Sequence, residues 1–322
     1  MLAADKRRRG AATVTATARL HFGFLDPSGR SGRPFGSFGL SLDRPRTRLT
    51  LARDGDGSVR GTERERAARY LKTIAESCGV DHAYALTLAE AIPPHAGLGS
   101  GTQLALAVGS AFAAAEGLAL TAQDIATRLG RGARSGIGIA TFEAGGAVLD
   151  SGPIDGALPR CITRMPFPED WRVLLIFDPS AKGLDGATEA AAFDTLPAFP
   201  ESAVADLRER IEARALPALA QRDFATFCAE VGHLQRGMGA YFAPLQGGAY
   251  TSPGVSEVLD WLRTQGVTGL GQSSWGPTGF AFADSEAAGT ALLAAVEDRR
   301  QAGGLRFELA RGRNEGAEIA LD

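Results

Sequence analysis

The chain is poor in lysine, in cysteine and in long apolar runs, and each shortage excludes a class of protein. Of the 34 basic residues three are lysines, and the formal net charge is −3, so the composition gives no reason to expect nucleic acid as a partner. The three cysteines, Cys78, Cys161 and Cys228, have neither metal-binding nor disulfide spacing, which predicts a cytoplasmic protein. No run of about 18 apolar residues is present that would predict a membrane span. The basic start at residues 6–9 is not followed by the apolar segment of a signal peptide.

The sequence contains enough apolar residues for a large core, since 44% of its 322 residues are hydrophobic. Strand and helix patterns mix without strict βαβ regularity, which favours an α+β fold. The prolines at 166 and 168 indicate a joint between two domains. The patterns predict strands over Val14–Leu20, Leu40–Ala52, Ala83–Ala91, Ala147–Asp150, Trp171–Phe177 and Phe280–Ala283. They predict helices over Glu63–Cys78, Thr102–Glu116, Ala122–Gly130, Val204–Gln221, Phe224–Met238, Val255–Gln265 and Ala287–Asp298. They predict glycine-rich or loop passages over Pro27–Gly39, Arg134–Gly146, Asp178–Glu189 and Leu270–Gly279.

The most specific motif is the glycine-rich segment PPHAGLGSGTQ at residues 93–103. Gly97, Gly99 and Gly101 alternate, so no Cβ hinders the approach of an anion to the backbone. A helical pattern follows at once, and Ser100 and Thr102 are candidate cap residues. Free N–H groups and the positive end of the helix dipole would then converge on one point, which predicts phosphate contacts from these five residues. No lysine follows the glycines, and the spacing fits neither the P-loop nor G-x-G-x-x-G. A plain surface turn is the alternative.

Together with other segments, this loop resembles the GHMP superfamily, and within it the β-ribofuranosylaminobenzene 5′-phosphate synthase branch of methanopterin biosynthesis. The resemblance implies a two-domain GHMP-kinase-like fold. Its N-terminal domain, residues 1–167, would resemble a ribosomal-protein fold and carry the phosphate loop, and its C-terminal domain, residues 168–322, would be ferredoxin-like. The segments that carry the resemblance are RLHFGFLD at 19–26, GLGSGTQL at 97–104, RGARSGIG at 131–138, QGG at 246–248 and GQSSWGP at 271–277.

One residue separates this chain from the kinases of that superfamily. The kinases have a Ser-Gly-x-Asp-like stretch that supplies a catalytic carboxylate, whereas Ser135 and Gly136 are followed here by Ile137 and Gly138. The kinase route lacks its general base without that carboxylate, so the phosphate loop is expected to hold the diphosphate of phosphoribosyl diphosphate. Glu143, five residues beyond Gly138, is a candidate substrate-binding group and a candidate replacement base.

The branch implies an enzyme, a decarboxylating pentosyltransferase. It would join phosphoribosyl diphosphate to 4-aminobenzoate or 4-hydroxybenzoate and release CO2 and diphosphate, early in tetrahydromethanopterin biosynthesis. Mg²⁺ is expected to accompany the diphosphate. A single inversion at ribose C1 needs no covalent nucleophile, so the protein must neutralise the departing charge, exclude water and align the ring. Two alternatives stay open: an ATP-dependent small-molecule kinase and a non-catalytic protein that binds a phospholigand. A homodimer is considered as the assembly.

The resemblance also suggests residues for these tasks. Asp26 is the main catalytic candidate, as a Mg²⁺ ligand or as a stabiliser of the cationic C1, and its alternative role is a turn carboxylate before Pro27. His21 is a candidate acid–base group or a satisfied core histidine. Arg134 is a further catalytic candidate and Arg19 a substrate-binding one, because a guanidinium can clamp a phosphate or a carboxylate. The candidates for closing over the phosphate are Gln272, Ser273 and Ser274.

Overall fold

The computed structural model describes residues 10–30, 35–53, 55–183, 193, 195–299 and 304–321. The basic start at residues 6–9 lies outside the described residues, and so does the later part of the loop predicted over Asp178–Glu189.

The first sheet is built on two long antiparallel strands, β1 (Ala11–Asp26) and β2 (Phe35–Arg53). Every second residue is buried at the start of β1, as expected where one face of a strand covers a core. The order of the sheet is β11-β1-β2-β4-β3, with β5 paired to β2 and β6 paired to β5. Its shorter strands are β3 (Val59–Arg60), β4 (Tyr84–Glu90), β5 (Ala147–Asp150), β6 (Cys161–Met165) and β11 (Glu318–Leu321).

Four helices accompany this sheet: α1 (Arg64–Ser77), α2 (Ser100–Glu116), α3 (Ala122–Arg128) and α4 (Ile137–Ala144). α2 is buried on nearly all sides, because its alanines and glycines let the sheet and the other three helices pack closely around it. α4 lies in the passage predicted only as glycine-rich. Burial of Ile137, Ile139 and Phe142 stabilises a helix there, which shows tertiary packing overriding the low helix propensity of glycine.

The second sheet is antiparallel, in the order β10-β7-β9-β8. Its strands are β7 (Arg172–Phe177), β8 (Leu270–Gln272), β9 (Gly279–Ala283) and β10 (Arg306–Ala310). A π-helical segment, Arg210–Ala215, interrupts the single helix predicted over Val204–Gln221. The helices are α5 (Glu201–Glu209), α6 (Leu216–Gln221), α7 (Phe224–Gln246), α8 (Pro253–Thr264) and α9 (Glu286–Asp298).

The end of the chain returns to the first sheet. β11 pairs with β1, from Ala12 opposite Leu321 to Thr15 opposite Glu318. The domain boundary predicted between residues 167 and 168 therefore lies between the strands of the first sheet and those of the second. The exception is β11, which follows the boundary in the chain but belongs to the first sheet. The periodicity of the sequence did not reveal β3, β6, β8, β10 or β11, which are short or partly exposed. The first three residues of the glycine-rich passage predicted over Leu270–Gly279 form β8.

A shared aromatic core joins the two sheets. Phe22 of β1 lies with its ring centroid 5.5 Å from that of Phe280 and 5.7 Å from that of Phe282, both in β9. Phe227 of α7 closes the cluster at 5.3 Å from Phe282. Such pairs add about 0.5–1.5 kcal/mol each to the free energy of burial. This core fixes β1 against the second sheet, and the site lies where the two meet. No helix among the described residues is long and apolar enough to cross a membrane.

Candidate active site

A cavity of about 930 Å³ lies where β1, the glycine loop and the first turns of α1 meet. Two glutamates line it, Glu63 and Glu65, against a larger number of basic side chains. The cavity is therefore a concentration of positive charge on a chain whose net charge is −3, which is the arrangement expected for an anionic ligand. The lining arginines are Arg19, Arg64, Arg66, Arg69, Arg131 and Arg134.

The glycine loop delivers the start of α2 to this cavity. Gly99 is the N-cap residue, in a left-handed conformation at φ 80°, and no side chain caps the helix. Ser100 and Thr102 were expected as caps, but they lie in the first turn, where they line the cavity with Gly101. The N–H groups of a first turn have no partner within the helix. Amides, hydroxyls and the positive end of the dipole therefore face the same space.

Contacts with distant segments hold the glycine loop in place. The carbonyl oxygen of Gly97 accepts hydrogen bonds from Arg19 Nη1 at 2.5 Å and from Ser273 Oγ at 2.7 Å. A Cβ at Gly97 would overlap the carbonyl oxygen of Ser273. Glycine is required here because the turn at residues 273–276 packs against its backbone.

Two arginines that sequence reasoning missed converge on Gly101. A Cβ built there would lie 2.6 Å from Arg131 Nη2 and 3.8 Å from Arg66 Nη1. Glu63 forms an ion pair with Arg66 at 2.6 Å, while the buried Nε atoms of both arginines lack hydrogen-bond partners. Two guanidinium groups at the positive end of a helix repel each other, and an anion between them would remove that repulsion. The signal for Arg66 in the sequence was the cluster of arginines at the start of α1. The amphipathic pattern of this helix assigns those arginines to its solvent-exposed face.

His21 lies on β1 beside this cavity and is 4% exposed. Burial, and then the positive charge of Arg19, lower the pKa of His21 to about 3, so its imidazole is neutral at physiological pH. Its Nδ1 has no hydrogen-bond partner. The backbone is fixed on both sides, because His21 N donates to Ser273 Oγ at 3.0 Å and Ser274 N donates to His21 O at 3.0 Å.

The part of the cavity beside His21 is aromatic, and it is called the aromatic end below. Phe24 and Trp275 line it, and Phe193 lies with its ring centroid 5.7 Å from that of Phe24 and 5.6 Å from that of Trp275. The guanidinium of Arg134 stands 4.8 Å over the Phe193 ring. This wall suits a flat aromatic ligand that carries a negative charge.

Comparison with known proteins identifies the family. The model of the GHMP kinases N terminal domain matches residues 65–146, and that of the GHMP kinases C terminal matches residues 215–301. The chain is 31% identical over 319 residues to the β-ribofuranosylphenol 5′-phosphate synthase of Archaeoglobus fulgidus, covering 94% of this chain and 98% of that one. It is 28% identical over 327 residues to the synthase of the same name from Methanothermobacter thermautotrophicus, covering 94% and 97%. The chain belongs to this synthase family, within the GHMP superfamily.

Solved structures agree on the fold. The mevalonate diphosphate decarboxylase from Enterococcus faecalis has a TM-score of 0.68 at 15% identity, covering 97% of this chain and 99% of that chain. A homoserine kinase from Cytophaga hutchinsonii has a TM-score of 0.64 at 17% identity, covering 99% and 100%. These likenesses establish the fold alone. The predicted GHMP-type α+β fold is confirmed, and so is the predicted synthase branch.

The position at which the resemblance to the kinases predicts a catalytic carboxylate faces the cavity. Gly138 lines it, and a Cβ there would lie 2.9 Å from Thr102 Cγ2. Glu143 does not line the cavity and is exposed. Five residues along a helix rotate a side chain by about 500°, which places Glu143 about 140° around α4 from Gly138. The structure therefore does not support Glu143 as a substrate-binding group or as a replacement base.

Asp26, the main catalytic candidate, is not among the residues that line the cavity of this synthase family member. It is fully buried. Its Oδ1 accepts hydrogen bonds from Ser28 N at 3.1 Å and from Ser28 Oγ at 2.7 Å. These are the contacts of a side chain that stabilises a turn. The geometry favours the turn role that the sequence left as the alternative.

The C-terminal motif of the family divides into one half-buried and two buried positions. Ser274 lines the cavity at φ 54°. Ser273 is fully buried, with its hydroxyl already bonded to Gly97 and His21. Gln272 is 5% exposed, and its Oε1 accepts from Thr251 N at 2.7 Å. Gln272 and Ser273 thus hold the turn that presents Ser274, and a direct phosphate contact from either one stays a prediction.

A further positioning residue, Asp150, went unnoticed in the sequence. Its carboxylate is 1% exposed and accepts hydrogen bonds from Gly136 N at 2.7 Å, Ser37 N at 3.0 Å and Gly152 N at 2.8 Å. It also accepts from Ser135 Oγ at 3.2 Å. Asp150 thereby fixes the start of α4 and the segment that carries Arg131 and Arg134. A lone aspartate at the end of an apolar strand gives no signal of this in the sequence.

Proposed function

We propose that the protein joins phosphoribosyl diphosphate to a 4-substituted benzoate, releasing CO2 and diphosphate and forming a β-ribofuranosyl aryl 5′-phosphate. The observation that carries the proposal is one cavity with an arginine-rich end at a helix N-terminus and an aromatic end beside it, in a chain that belongs to the synthase family. The two relatives are named for a ribofuranosylphenol product. We therefore place 4-hydroxybenzoate first and 4-aminobenzoate second as the acceptor.

The departing diphosphate would occupy the charged end. There the first-turn amides of α2, the hydroxyls of Ser100 and Thr102, and the guanidinium groups of Arg66 and Arg131 converge. Breaking the C1–O bond leaves negative charge on the diphosphate, and donors already oriented toward that charge lower the barrier without reorganising. Arg64 and Arg69 also line the cavity and would offer charge for the 5′-phosphate.

Mg²⁺ is proposed as a companion of the diphosphate. Glu63 and Glu65 are the carboxylates that line the cavity, and no cluster of three or more metal-ligating side chains occurs within the described ranges. This donor set fits Mg²⁺, which takes oxygen ligands and commonly uses one or two carboxylates with substrate phosphates. Bound there, the ion would offset negative charge on the leaving group. Asp26 does not line the cavity, so we do not assign it as a ligand.

The aromatic end would hold the benzoate. Phe24 and Trp275 form its wall, and Arg134 supplies the positive charge for a carboxylate. The ring carbon that bears the carboxylate forms the new bond to ribose C1, and the electron pair of the carboxylate bond returns to the ring as CO2 leaves. Holding the ring next to C1 and excluding water is therefore the main task of this end.

A kinase is the second candidate, and the site disfavours it. Gly138 stands where the kinases have a carboxylate, and even a Cβ would crowd Thr102 at that position. Neither Glu143 nor Asp26 lines the cavity. A kinase acting here would therefore have no general base for the acceptor hydroxyl at position 138, at Glu143 or at Asp26.

The setting of the reaction stays a proposal. All three cysteines are free, and we place the protein in the cytoplasm, where free thiols persist. Small-molecule substrates are its proposed partners. The homodimer considered from the sequence stays a prediction.

The deciding experiment incubates the protein with phosphoribosyl diphosphate, Mg²⁺ and carboxyl-labelled 4-hydroxybenzoate or 4-aminobenzoate, without ATP. We expect labelled CO2 and free diphosphate in equal amounts, with a ribosylated aryl product detected by mass spectrometry. A parallel reaction supplies ATP in place of phosphoribosyl diphosphate.

Two outcomes would refute the proposal. ADP formation that depends on an acceptor alcohol, with no CO2, would indicate the kinase. Tight binding of phosphoribosyl diphosphate with no turnover of either benzoate would indicate the non-catalytic binding protein.

A further inference from the structure

Arg66 already has a negative partner inside the cavity. Its Nη2 lies 2.6 Å from Glu63 Oε2, and both side chains line the cavity. The contact balances charge without being a hydrogen bond, because Nη2 and Nε of Arg66 are buried and have no hydrogen-bond partner. A carboxylate that binds an arginine well accepts two parallel N–H groups. Glu63 therefore neutralises Arg66 but does not satisfy its donors.

The backbone of Glu63 is unusual for a glutamate. Glu63 is the N-cap residue of α1 at φ 63°, in the left-handed region, and its side chain makes no capping hydrogen bond. Residues other than glycine seldom adopt that conformation, and those that do are concentrated at sites that hold a ligand. Capping of α1 thus does not account for a glutamate at this position, whereas the contact with Arg66 does.

The same guanidinium group faces the place that we assign to the diphosphate. A Cβ at Gly101 would lie 3.8 Å from Arg66 Nη1 and 2.6 Å from Arg131 Nη2. Arg66 thus lies between an internal anion, the carboxylate of Glu63, and the position of an external one. Two anions that share one guanidinium group also repel each other. A free diphosphate would therefore have to compete with Glu63 for Arg66.

We infer that Glu63 holds Arg66 while the site is empty and exchanges it for Mg²⁺ when the metal complex of a diphosphate binds, so that the site selects the complex over the free anion. The inference rests on the proposed function for the identity of the anion. Diphosphate takes the place of Glu63 beside Arg66, and the released carboxylate becomes an oxygen ligand of the accompanying ion. Each negative group keeps a positive partner, and no covalent bond or proton is transferred.

The expected preference follows from charge and burial. The side chains of Arg66 and Glu63 are 19% and 21% exposed, so neither is fully solvated. A free diphosphate that takes Arg66 leaves the carboxylate of Glu63 without a counter-charge in this half-buried position, which is unfavourable. The Mg²⁺ complex brings a new counter-charge for Glu63 as it removes the old one. The complex should therefore bind more tightly than the free anion.

Calorimetry tests the exchange by measuring the Kd for inorganic diphosphate, first with EDTA and then with Mg²⁺. In EDTA, Glu63→Gln should bind diphosphate about tenfold more tightly than the wild type, since the amide keeps the size of the side chain but no longer competes as an anion. Mg²⁺ should tighten binding at least about tenfold in the wild type and less than about threefold in the variant. A merely structural role predicts weaker binding in EDTA, because damage to the start of α1 would displace Arg66.

Three further variants show whether the gain depends on the contact with Arg66. Adding Glu63→Gln to Arg66→Gln should change the Kd in EDTA by less than about threefold, because the competition needs both partners. Glu65→Gln removes the other carboxylate that lines the cavity, and no ion pair joins Glu65 to Arg66 within the described ranges, so its gain should also stay below about threefold. Glu76→Gln, on the exposed part of α1 where Glu76 pairs with Lys72, should leave both Kd values unchanged.

The results distinguish this inference from the proposed function. Glu63→Gly supplies a second variant without the carboxylate, since glycine adopts φ 63° without strain. Equal or weaker binding in EDTA by both Glu63 variants would overturn the exchange, and so would an equal gain in Glu65→Gln or a wild-type affinity that does not respond to Mg²⁺. The expected Kd values without CO2 release from either benzoate would instead overturn the synthase reaction and leave the role of Glu63 intact.

Discussion

The charged end and the aromatic end of the cavity lie side by side but achieve binding differently. At the charged end, Arg66 and Arg131 converge on Gly101 at the start of α2, and the cost of bringing like charges together is offset when an anion arrives. At the aromatic end, Phe193, Phe242 and Trp275 already pack against one another, so the wall is formed before any ligand binds. The comparison indicates that the phosphate end is built from charge and the aryl end from shape.

The largest effect is expected from a negative charge at the phosphate end. Ser100→Asp places a carboxylate in the first turn of α2, where the helix dipole favours it, so stability should be kept or slightly raised. The same carboxylate would repel the ligand, and the Kd for phosphoribosyl diphosphate should rise by at least about 100-fold. Calorimetric titration measures this. Ala287→Asp, in the first turn of α9, is the control, and unchanged affinity in Ser100→Asp would remove α2 from the phosphate site.

Removing one guanidinium should have the next largest effect. Arg66→Gln or Arg131→Gln should raise the KM for phosphoribosyl diphosphate by about 10- to 100-fold, since hydrogen bonds to charged groups contribute about 1.5–3 kcal/mol. The KM for the benzoate should change little, which tests the separation of the two ends. Arg60→Gln is the matched control, because Arg60 pairs with Asp56 on the surface and lies outside the cavity. Equal rises in both KM values would contradict the comparison.

The pH dependence of stability should show that His21, beside the aromatic end, is buried in its neutral form. Its folded pKa of about 3 lies below the ordinary value of 6.5, so the unfolded chain binds a proton that the folded one does not. The folded protein keeps its full stability with respect to this group above pH 6.5 and loses stability as the pH falls toward 3. Between pH 6.5 and about 4.5 this amounts to about 2 kcal/mol. Urea unfolding of wild type and His21→Leu should show a smaller loss in the variant, whereas parallel curves would indicate that His21 is not buried as described.

The smallest effect is expected at Asp26, which belongs to neither end. Asp26→Asn keeps the size and turn preference but weakens the bonds from Ser28, and should cost about 1 kcal/mol of stability. We expect kcat to stay within about threefold. Measuring kcat and the urea midpoint on one preparation tests this. A loss of kcat by orders of magnitude at normal stability would return Asp26 to the catalytic group.

Local patterns in the sequence predicted much of the fold. β1, α1 and α2 occur close to the predicted positions, since each buries one face at the period of its own backbone geometry. The helix at Ile137–Ala144 was not predicted, because glycines 136 and 138 lower helix propensity and the burial that compensates comes from other parts of the chain. β11 escaped notice because four exposed residues form a strand only against the edge of β1.

The candidate site was predictable where it rested on backbone chemistry. The alternating glycines of residues 97–101 by themselves predicted a loop that opens a helix, and this loop opens α2 at the cavity; the anion that it is expected to hold stays a prediction. The glycine at position 138 likewise led to the prediction that the catalytic carboxylate of the kinases is missing.

The tertiary structure alone decided which side chains join that loop. Arg66 and Arg131 are far apart in the chain and meet over Gly101, and burial between β1 and the turn at Ser273 keeps His21 neutral. The same structure placed Asp26 in a turn and Glu143 on the outer side of α4. The convergence of two arginines, the burial of a histidine and the direction in which a carboxylate points all depend on distances between segments that are remote in sequence. The linear order of residues does not specify those distances.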